Sequence, residues 1–526
     1  MTRLLERVGG LDANFLAIED AANHMHIGSV GIFAGPAPSY DELCNLIGSK
    51  LAQVPRYRQK VRMAPASIGR PVWIDDPGFR LQYHVRHCAL PRPGGDLELR
   101  SLVEMLMSQQ LDRHKPLWED WMVEGLEDGR WALITKVHHC MVDGIAGSDL
   151  LALVLDPDPD ARPVAQESWV PAPEPGVADL ALHSLRGLAG APGRWLTTAG
   201  DAVRHRRATL TRAADITAGL GRLGGLIRPA PHSSLTGSIG THRRWAWTRA
   251  TLAEIKEIRS VLGGTVNDVV LAAVTRGFHD LLERRGEPLE GRKVRSLVPV
   301  SLRTPDARGV FDNRVTAVFA ELPVGIDEPV ERLHQVRVQM DALKLSHEAD
   351  ASEALSSLAS FAPPLVTALM ARLSVHHQHS IETITTNVAG PQHTLYALGR
   401  PMLEAYPYAP ISGRIQVSVA IWSYDGGVHI GVTGDWDAAP DLEVLTAGID
   451  DGLRELRQAA RANRVCSPPV ASSSGQPPPA TGAGPDQDPR SESDRCAGTG
   501  SGRGMDPERC TDSRAPKPRV ACRDHL

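Results

Sequence analysis

Two adjacent histidines, His138 and His139, followed at fixed spacing by Asp143 and Gly144, make HHCMVDG the stretch of this chain best suited to chemistry. Imidazole is the side chain whose unperturbed pKa leaves a lone pair available near neutral pH, so the pair points to general-base work. Asp143 is suited to holding the loop in shape through an ion pair, and Gly144 permits a tight backbone turn. A lone histidine is usually a packed or surface residue. Two of them with an acid and a glycine, placed where the apolar strand Trp131 to Val137 runs out into a loop, favour a functional reading.

The motif needs elements to position it, and 526 residues are enough for two or more domains with substantial cores. Residues 1–160 alternate helical and strand patterns and end with the motif and the helix-like SDLLALVLD. Residues 161–240 read as a linker, entered through the proline-rich stretch Asp156 to Pro175. Within it, Asp179 to Arg228 carries eight arginines against three aspartates and no lysine. That composition fits a basic amphipathic segment on an anionic membrane or lipid surface. It equally fits a solvated crossover between domains, and its glycines weaken any long helix.

Residues 241–465 read as a second domain. Thr251 to Leu262 is helical, Gly263-Gly264 stops it, and Thr265 caps a long helix from Val266 to Arg285. Strands are expected at Val294 to Leu302, Val315 to Val324 and Ile381 to Val388, with a charged helix at Pro329 to Leu345. Arg414 to Thr433 is expected to form a hairpin turning at Asp425-Gly426-Gly427, and Leu442 to Arg461 a last helix. Residues 466–526 are Pro, Ser, Gly and charge, too poor in apolar residues to offset their ordering entropy, so disorder is expected there.

Several function classes are excluded. A net charge of -5 and a pI near 6.5 supply no basic excess for nucleic acid. No clean run of about 20 apolar residues appears; the nearest, Ala354 to Ala371, is split by Pro363-Pro364. The N-terminus carries Glu6 and Asp12 and lacks the apolar core of a signal peptide, which fits a cytoplasmic chain. Of seven cysteines, Cys466, Cys496, Cys510 and Cys522 lie in the tail and none forms a CxxC pair, arguing against disulfides and structural zinc. His376-His377-Gln378-His379 lacks i, i+4 spacing and a carboxylate motif, so no metal is expected. Asp435-Trp436-Asp437 follows a strand and is expected to turn the chain or to salt-bridge. No GxSxG nucleophile elbow occurs.

Together with other stretches, HHCMVDG resembles the bacterial wax ester synthase/diacylglycerol acyltransferase family, within the chloramphenicol-acetyltransferase-like superfamily. The likeness runs from Gly10-Leu11-Asp12-Ala13 and Met25-His26-Ile27-Gly28 through Gly69-Arg70-Pro71-Val72-Trp73 and Tyr83-His84-Val85-Arg86-His87 to Pro116-Leu117-Trp118-Glu119. It continues with Asn267-Asp268-Val269-Val270-Leu271, Val298-Pro299-Val300-Ser301-Leu302-Arg303 and Asn387-Val388-Ala389-Gly390-Pro391. It spans nearly all of residues 4–460 and is strongest to actinobacterial triacylglycerol synthases. HHxxxDG alone would admit peptide-synthetase condensation domains, a role disfavoured because no carrier domain adjoins.

The resemblance implies an α/β fold of two subdomains, each a central mixed sheet flanked by helices, joined by the long linker and meeting along a tunnel with His139 near its middle. It implies acyl transfer from acyl-CoA, a co-substrate rather than a bound cofactor, to diacylglycerol or a fatty alcohol. His139 would be the general base for direct attack without an acyl-enzyme, and His138 would support it. Asp143 would pair with an arginine, Arg303 or Arg314, and shape the loop with Gly144.

Pro116-Leu117-Trp118 reads alone as a proline turn with a buried tryptophan; the resemblance adds a substrate-binding role along the acyl or alcohol channel. Asn267 and Asp268 read as helix-capping residues; the resemblance turns them toward substrate, with Asn267 assisting the oxyanion. A peripheral place at the inner membrane or a lipid-droplet surface is also implied. The competing readings are acyl transfer to another lipid or polyketide alcohol, and a lipid-surface binding protein with little catalysis.

Overall fold

The computed structural model describes residues 5–63, 65, 69–141, 154–161, 169–189, 233–301, 315–345, 369, 372 and 378–466. Asp143, Gly144, Arg303 and Arg314 lie outside them, as do residues 190–232 of the linker, nearly all of the stretch 354–371, and the tail beyond residue 466. In chain order the strands are β1 (Glu6–Arg7), β2 (His26–Phe33), β3 (Gln59–Arg62), β4 (Val72–Asp75), β5 (Val85–Ala89), β6 (Trp118–Glu124), β7 (Trp131–His138) and β8 (Arg243–Thr251). They continue with β9 (Val294–Ser301), β10 (Val315–Leu322), β11 (Thr383–Ala389), β12 (Tyr396–Ala397), β13 (Arg400–Tyr408), β14 (Val417–Tyr424) and β15 (Gly427–Asp435). The longer helices are α1 (Gly10–Ile18), α2 (Tyr40–Lys50), α3 (Asp96–Met107), α4 (Val177–Ala189), α5 (Leu252–Leu262), α6 (Val266–Arg284), α7 (Pro329–Leu345) and α8 (Leu442–Cys466).

Two six-stranded mixed sheets carry the fold, in the orders β12-β13-β2-β7-β6-β5 and β10-β9-β11-β14-β15-β8. In the first, β2, β7 and β6 are antiparallel and β5 joins β6 in parallel. In the second, β11 runs parallel to both β9 and β14. β7 sits centrally, and all eight of its residues are buried. That burial on both faces explains why Trp131 to Ile134 reads as an apolar run rather than an alternating one, and the buried Thr135 and Lys136 that follow find hydrogen-bond partners in Ser29 and the Leu106 carbonyl.

The two halves of the chain share a sheet. β12 and β13 come from the second half of the chain yet complete the first sheet, with Tyr408 opposite Gly28 of β2. A bulge at Leu403 opposes two residues of β13 to one of β2 and lets Met402 and Ala405 both enter the core that holds Trp118 and Trp131. Where β13 crosses β15 the backbones touch: a Cβ on Gly431 would lie 1.9 Å from the Pro407 carbonyl oxygen. Trp422 and Tyr424 of β14 pack into the first sheet's core, and the Tyr424 hydroxyl donates to the Met402 carbonyl at 3.0 Å.

The local signals explain the second half. Thr251 and Thr265 each cap a helix through a capping box, with Glu254 and Asp268. Gly263, at φ 80°, ends α5, and α6 is buried from Asp268 to Thr275 as the spine of the second core. The β14–β15 hairpin turns on Asp425 (φ 42°) and Gly426 (φ 79°), the left-handed pair that a two-residue turn requires. The last helix runs to Cys466, past the expected Arg461. A third, three-stranded sheet, β1-β4-β3, was not expected. Helix α4, at the start of the linker, seats Leu180 against Val72 and Ile74 of that sheet.

Candidate active site

The histidine motif begins as the last rung of a ladder. His138 ends β7 opposite His26, and its backbone N–H donates to the Leu117 carbonyl at 2.9 Å. The His139 N–H donates to the Met25 carbonyl at 2.8 Å, after which the chain tightens into a 3-10 turn, His139–Met141. Cys140 anchors that turn twice. Its side chain is buried with Leu16, Trp73 and Leu117, and its N–H donates to Nδ1 of His138 at 3.1 Å. Consecutive residues at a strand end point to opposite faces, so the turn separates the two rings.

The separation gives the histidines different chemistry. His138 is fully buried, and because its Nδ1 accepts a hydrogen bond, its ring proton sits on Nε2. That nitrogen faces the Glu19 carboxylate at 3.6 Å, longer than a formed hydrogen bond, and has no hydrogen-bond partner among the described residues. His139 is only partly buried, and its ring lies on the Phe15 ring with centroids 4.1 Å apart. Burial, reinforced by the neighbouring His138, pushes the His139 pKa below the usual histidine range, against a backbone hydrogen bond that raises it. Its Nδ1 has no hydrogen-bond partner among the described residues. A neutral imidazole whose proton is not tied to a carboxylate is equipped to take a proton from an alcohol at neutral pH.

Glu19 is 6% exposed and is the C-cap residue of α1. Burial raises its pKa, but His138 and Arg113 more than offset this, so the carboxyl lies below its ordinary value. Arg113 donates through Nε to Glu19 Oε2 at 2.8 Å and also binds the Leu16 carbonyl. Neither residue was singled out in the sequence, because 94 positions separate them and no local pattern marks either.

The remaining candidates sort by what their side chains already do. Leu117 is core, and its carbonyl accepts the His138 N–H. Trp118 is 1% exposed, donates through Nε1 to the Tyr57 carbonyl at 2.8 Å and stacks on His84 at 4.7 Å. Pro116 accepts from the Trp118 N–H at 3.0 Å. These three shape the strand beside the motif, and Trp118 also lines a small cavity with Tyr57, Lys50 and Asp120.

Asp268, expected at a substrate-binding surface, is spent otherwise. Its Oδ2 accepts from the Thr265 N–H at 2.8 Å, closing the capping box of α6, and the residue is buried. The reason is local: an acid three residues after a threonine N-cap satisfies an otherwise orphaned amide. Asn267 accepts through Oδ1 from Nδ2 of Asn387 at 2.9 Å, which orients its own amide group as a donor. Asp435 turns the chain, accepting from the Asp437 and Ala438 amides and from Gly240. Of the histidine tract, residues 376 and 377 lie outside the described residues.

Two mixed sheets joined by an exchanged strand, with a partly buried histidine on the turn after a central strand, form an arrangement suited to acyl transfer. Residues 8–270 match the wax ester synthase/diacylglycerol acyltransferase catalytic domain and residues 311–457 the WS/DGAT C-terminal domain. The protein named "Probable diacyglycerol O-acyltransferase tgs1" of Mycobacterium tuberculosis is 35% identical over 461 residues, covering 86% of this chain and 96% of its own. Among solved structures, the wax ester synthase/diacylglycerol acyltransferase of Marinobacter aquaeolei VT8 superposes with a TM-score of 0.63 at 25% identity, over 87% of this chain and all of its own. The first condensation domain of the calcium-dependent antibiotic synthetase shares the fold at TM-score 0.55 and 16% identity, over 87% of this chain and 96% of its own. The chain belongs to the wax ester synthase/diacylglycerol acyltransferase family and is an acyl-CoA-dependent O-acyltransferase.

Proposed function

We propose that this enzyme acylates the free hydroxyl of diacylglycerol to make triacylglycerol, with His139 as general base and fatty alcohols as second acceptors that yield wax esters. The observation that carries the reading is the desolvated His139 on its turn, with a lowered pKa and a ring not engaged by a carboxylate among the described residues. The name of the mycobacterial relative supports diacylglycerol as the acceptor.

An alcohol is a poor nucleophile at neutral pH. His139 takes the hydroxyl proton as the oxygen attacks the thioester carbonyl, and the amide of Asn267 is the donor we assign to the oxyanion. Collapse breaks the C–S bond, and the imidazolium returns its proton to the departing thiolate. No acyl-enzyme and no bound cofactor are needed, and acyl-CoA is consumed as co-substrate. The acceptor resides in a lipid phase, so we place the enzyme at a membrane or lipid-droplet surface, using the basic segment Asp179 to Arg228 as its contact. No single helix among the described residues is long and apolar enough to cross a bilayer.

The test is purified protein with radiolabelled palmitoyl-CoA, offered diacylglycerol or hexadecanol, beside His139→Ala. The variant is expected to lose on the order of a hundredfold to ten-thousandfold in turnover. Equal rates in wild type and variant would remove the base assignment. Ester formed from hexadecanol but never from diacylglycerol would overturn the choice of acceptor.

A further inference from the structure

The motif holds two histidines, and base catalysis uses one. What the other does is set by a group more than a hundred residues upstream. His138 is fully buried and has two polar obligations, one at each ring nitrogen. Nδ1 meets the first by accepting the Cys140 N–H at 3.1 Å, the bond that folds the chain back into the turn carrying His139. This bond exists only while Nδ1 is unprotonated, because two N–H groups cannot face each other. The ring must therefore keep its proton on Nε2, and among the described residues the charged group that faces this nitrogen is the Glu19 carboxylate, 3.6 Å away.

We propose that Glu19 is a positioning residue for acyl transfer: held by Arg113, its carboxylate keeps His138 in the Nε2–H tautomer, and that tautomer fixes the turn presenting His139. The arrangement is a relay of orientation and no proton moves along it. Arg113 grips Oε2, the oxygen that faces His138, at 2.8 Å, and its second hand on the Leu16 carbonyl ties the pair to α1. From α1 comes Phe15, whose ring packs on His139. The second carboxylate oxygen lies 3.5 Å from the Met25 N–H, and the Met25 carbonyl in turn accepts from the His139 N–H at 2.8 Å. Glu19 thus reaches the turn by two routes, through the His138 ring and through the Met25 peptide. Burial strengthens the contact: in a dry site a charge–dipole interaction of this length is screened far less than in water.

The inference rests on His139 being the base, and the experiment separates the two ideas. Glu19→Gln keeps the shape and removes the charge, Arg113→Gln releases the carboxylate from a half-exposed position, and His139→Ala is run beside them. All are assayed in the full chain with palmitoyl-CoA and hexadecanol. A base displaced on its turn costs turnover rather than substrate binding, so kcat is expected to fall about tenfold to a hundredfold in Glu19→Gln while KM for palmitoyl-CoA stays within about twofold.

In protein labelled with ¹⁵N-histidine, His138 of the wild type is expected to report a protonated Nε2 and a bare Nδ1. In Glu19→Gln that signature should give way to a mixture of tautomers. If Glu19→Gln does not fold, Arg113→Gln decides, with an expected kcat loss of about threefold or more at unchanged KM. Turnover within about twofold of wild type in the folded variants, or an unaltered tautomer in Glu19→Gln, would overturn the proposal. Loss of activity in His139→Ala with full turnover in Glu19→Gln would remove Glu19 alone, whereas full activity in His139→Ala would remove the base reading and this inference with it.

Discussion

Asp120 offers a measurement of what the first core costs at neutral pH. It lies on β6 opposite Thr135 of β7, which is opposite Ser29 of β2, so three polar residues cross the sheet in one row. Thr135 and Ser29 satisfy each other at 2.7 Å, while Oδ1 of Asp120 has no partner among the described residues. Burial first, and the nearby Glu119 second, push the Asp120 carboxyl up to about 7. An unfolded aspartate titrates near 3.9, so the difference is roughly three pKa units, or about 4 kcal/mol in all.

The native state holds the proton more tightly, so stability falls as pH rises between these two values and levels off above the higher one. Between pH 5 and pH 8 the share from Asp120 is about 3 kcal/mol, or roughly 3 °C of Tm for a folded unit of this size. Asp120→Asn removes the titration while adding a pH-independent cost of about 1–3 kcal/mol for a buried amide. Thermal unfolding of both proteins from pH 5 to 8 should show the wild type losing about 3 °C relative to the variant, with every other titrating group cancelling in the difference. Parallel curves would refute the reasoning, because they would mean that the carboxylate is solvated or paired in the native state.

Other consequences are equally direct. The pKa of His139 is lowered and a base works when deprotonated, so activity is expected above that pKa and lost as pH falls through it; the acid limb of kcat/KM should lie below about 6.5. An acid limb above that value would assign the base elsewhere. Asp268→Ala should cost about 1 kcal/mol of stability through the lost capping box and leave KM for palmitoyl-CoA unchanged. A raised KM at unchanged Tm would return Asp268 to the substrate. Gly431→Ala forces a methyl against the Pro407 carbonyl and should lower the urea midpoint by the equivalent of about 1–3 kcal/mol or more, and an unchanged midpoint would show that β13 and β15 can part there.

Much of the second half was legible because its signals are local. Thr251 and Thr265 cap their helices, Gly263 ends one, and Asp425-Gly426 turns the hairpin, each through the backbone geometry of a few neighbouring residues. Other features had no such signature. The short β1-β4-β3 sheet is assembled from strands of two to four residues, too brief for periodicity to register. The passage of β13 into the first sheet pairs Tyr408 with Gly28, and residues so far apart in the chain leave no mark on each other's local pattern.

The same division runs through the site. The sequence alone determined the chemistry available: two histidines at a strand end, an apolar strand to carry them, and flanking motifs that resemble neutral-lipid acyltransferases. Those depend on residue type and short spacing, which a chain displays without folding. Which histidine is bound among the described residues was decided only in three dimensions. The N–H of Cys140 consumes one nitrogen of His138, the Glu19 carboxylate faces the other, and both arrive by folding. Desolvation of His139 against Phe15 likewise exists only once α1 lies over the turn. Tautomer and pKa are properties of surroundings, and surroundings are what tertiary structure supplies.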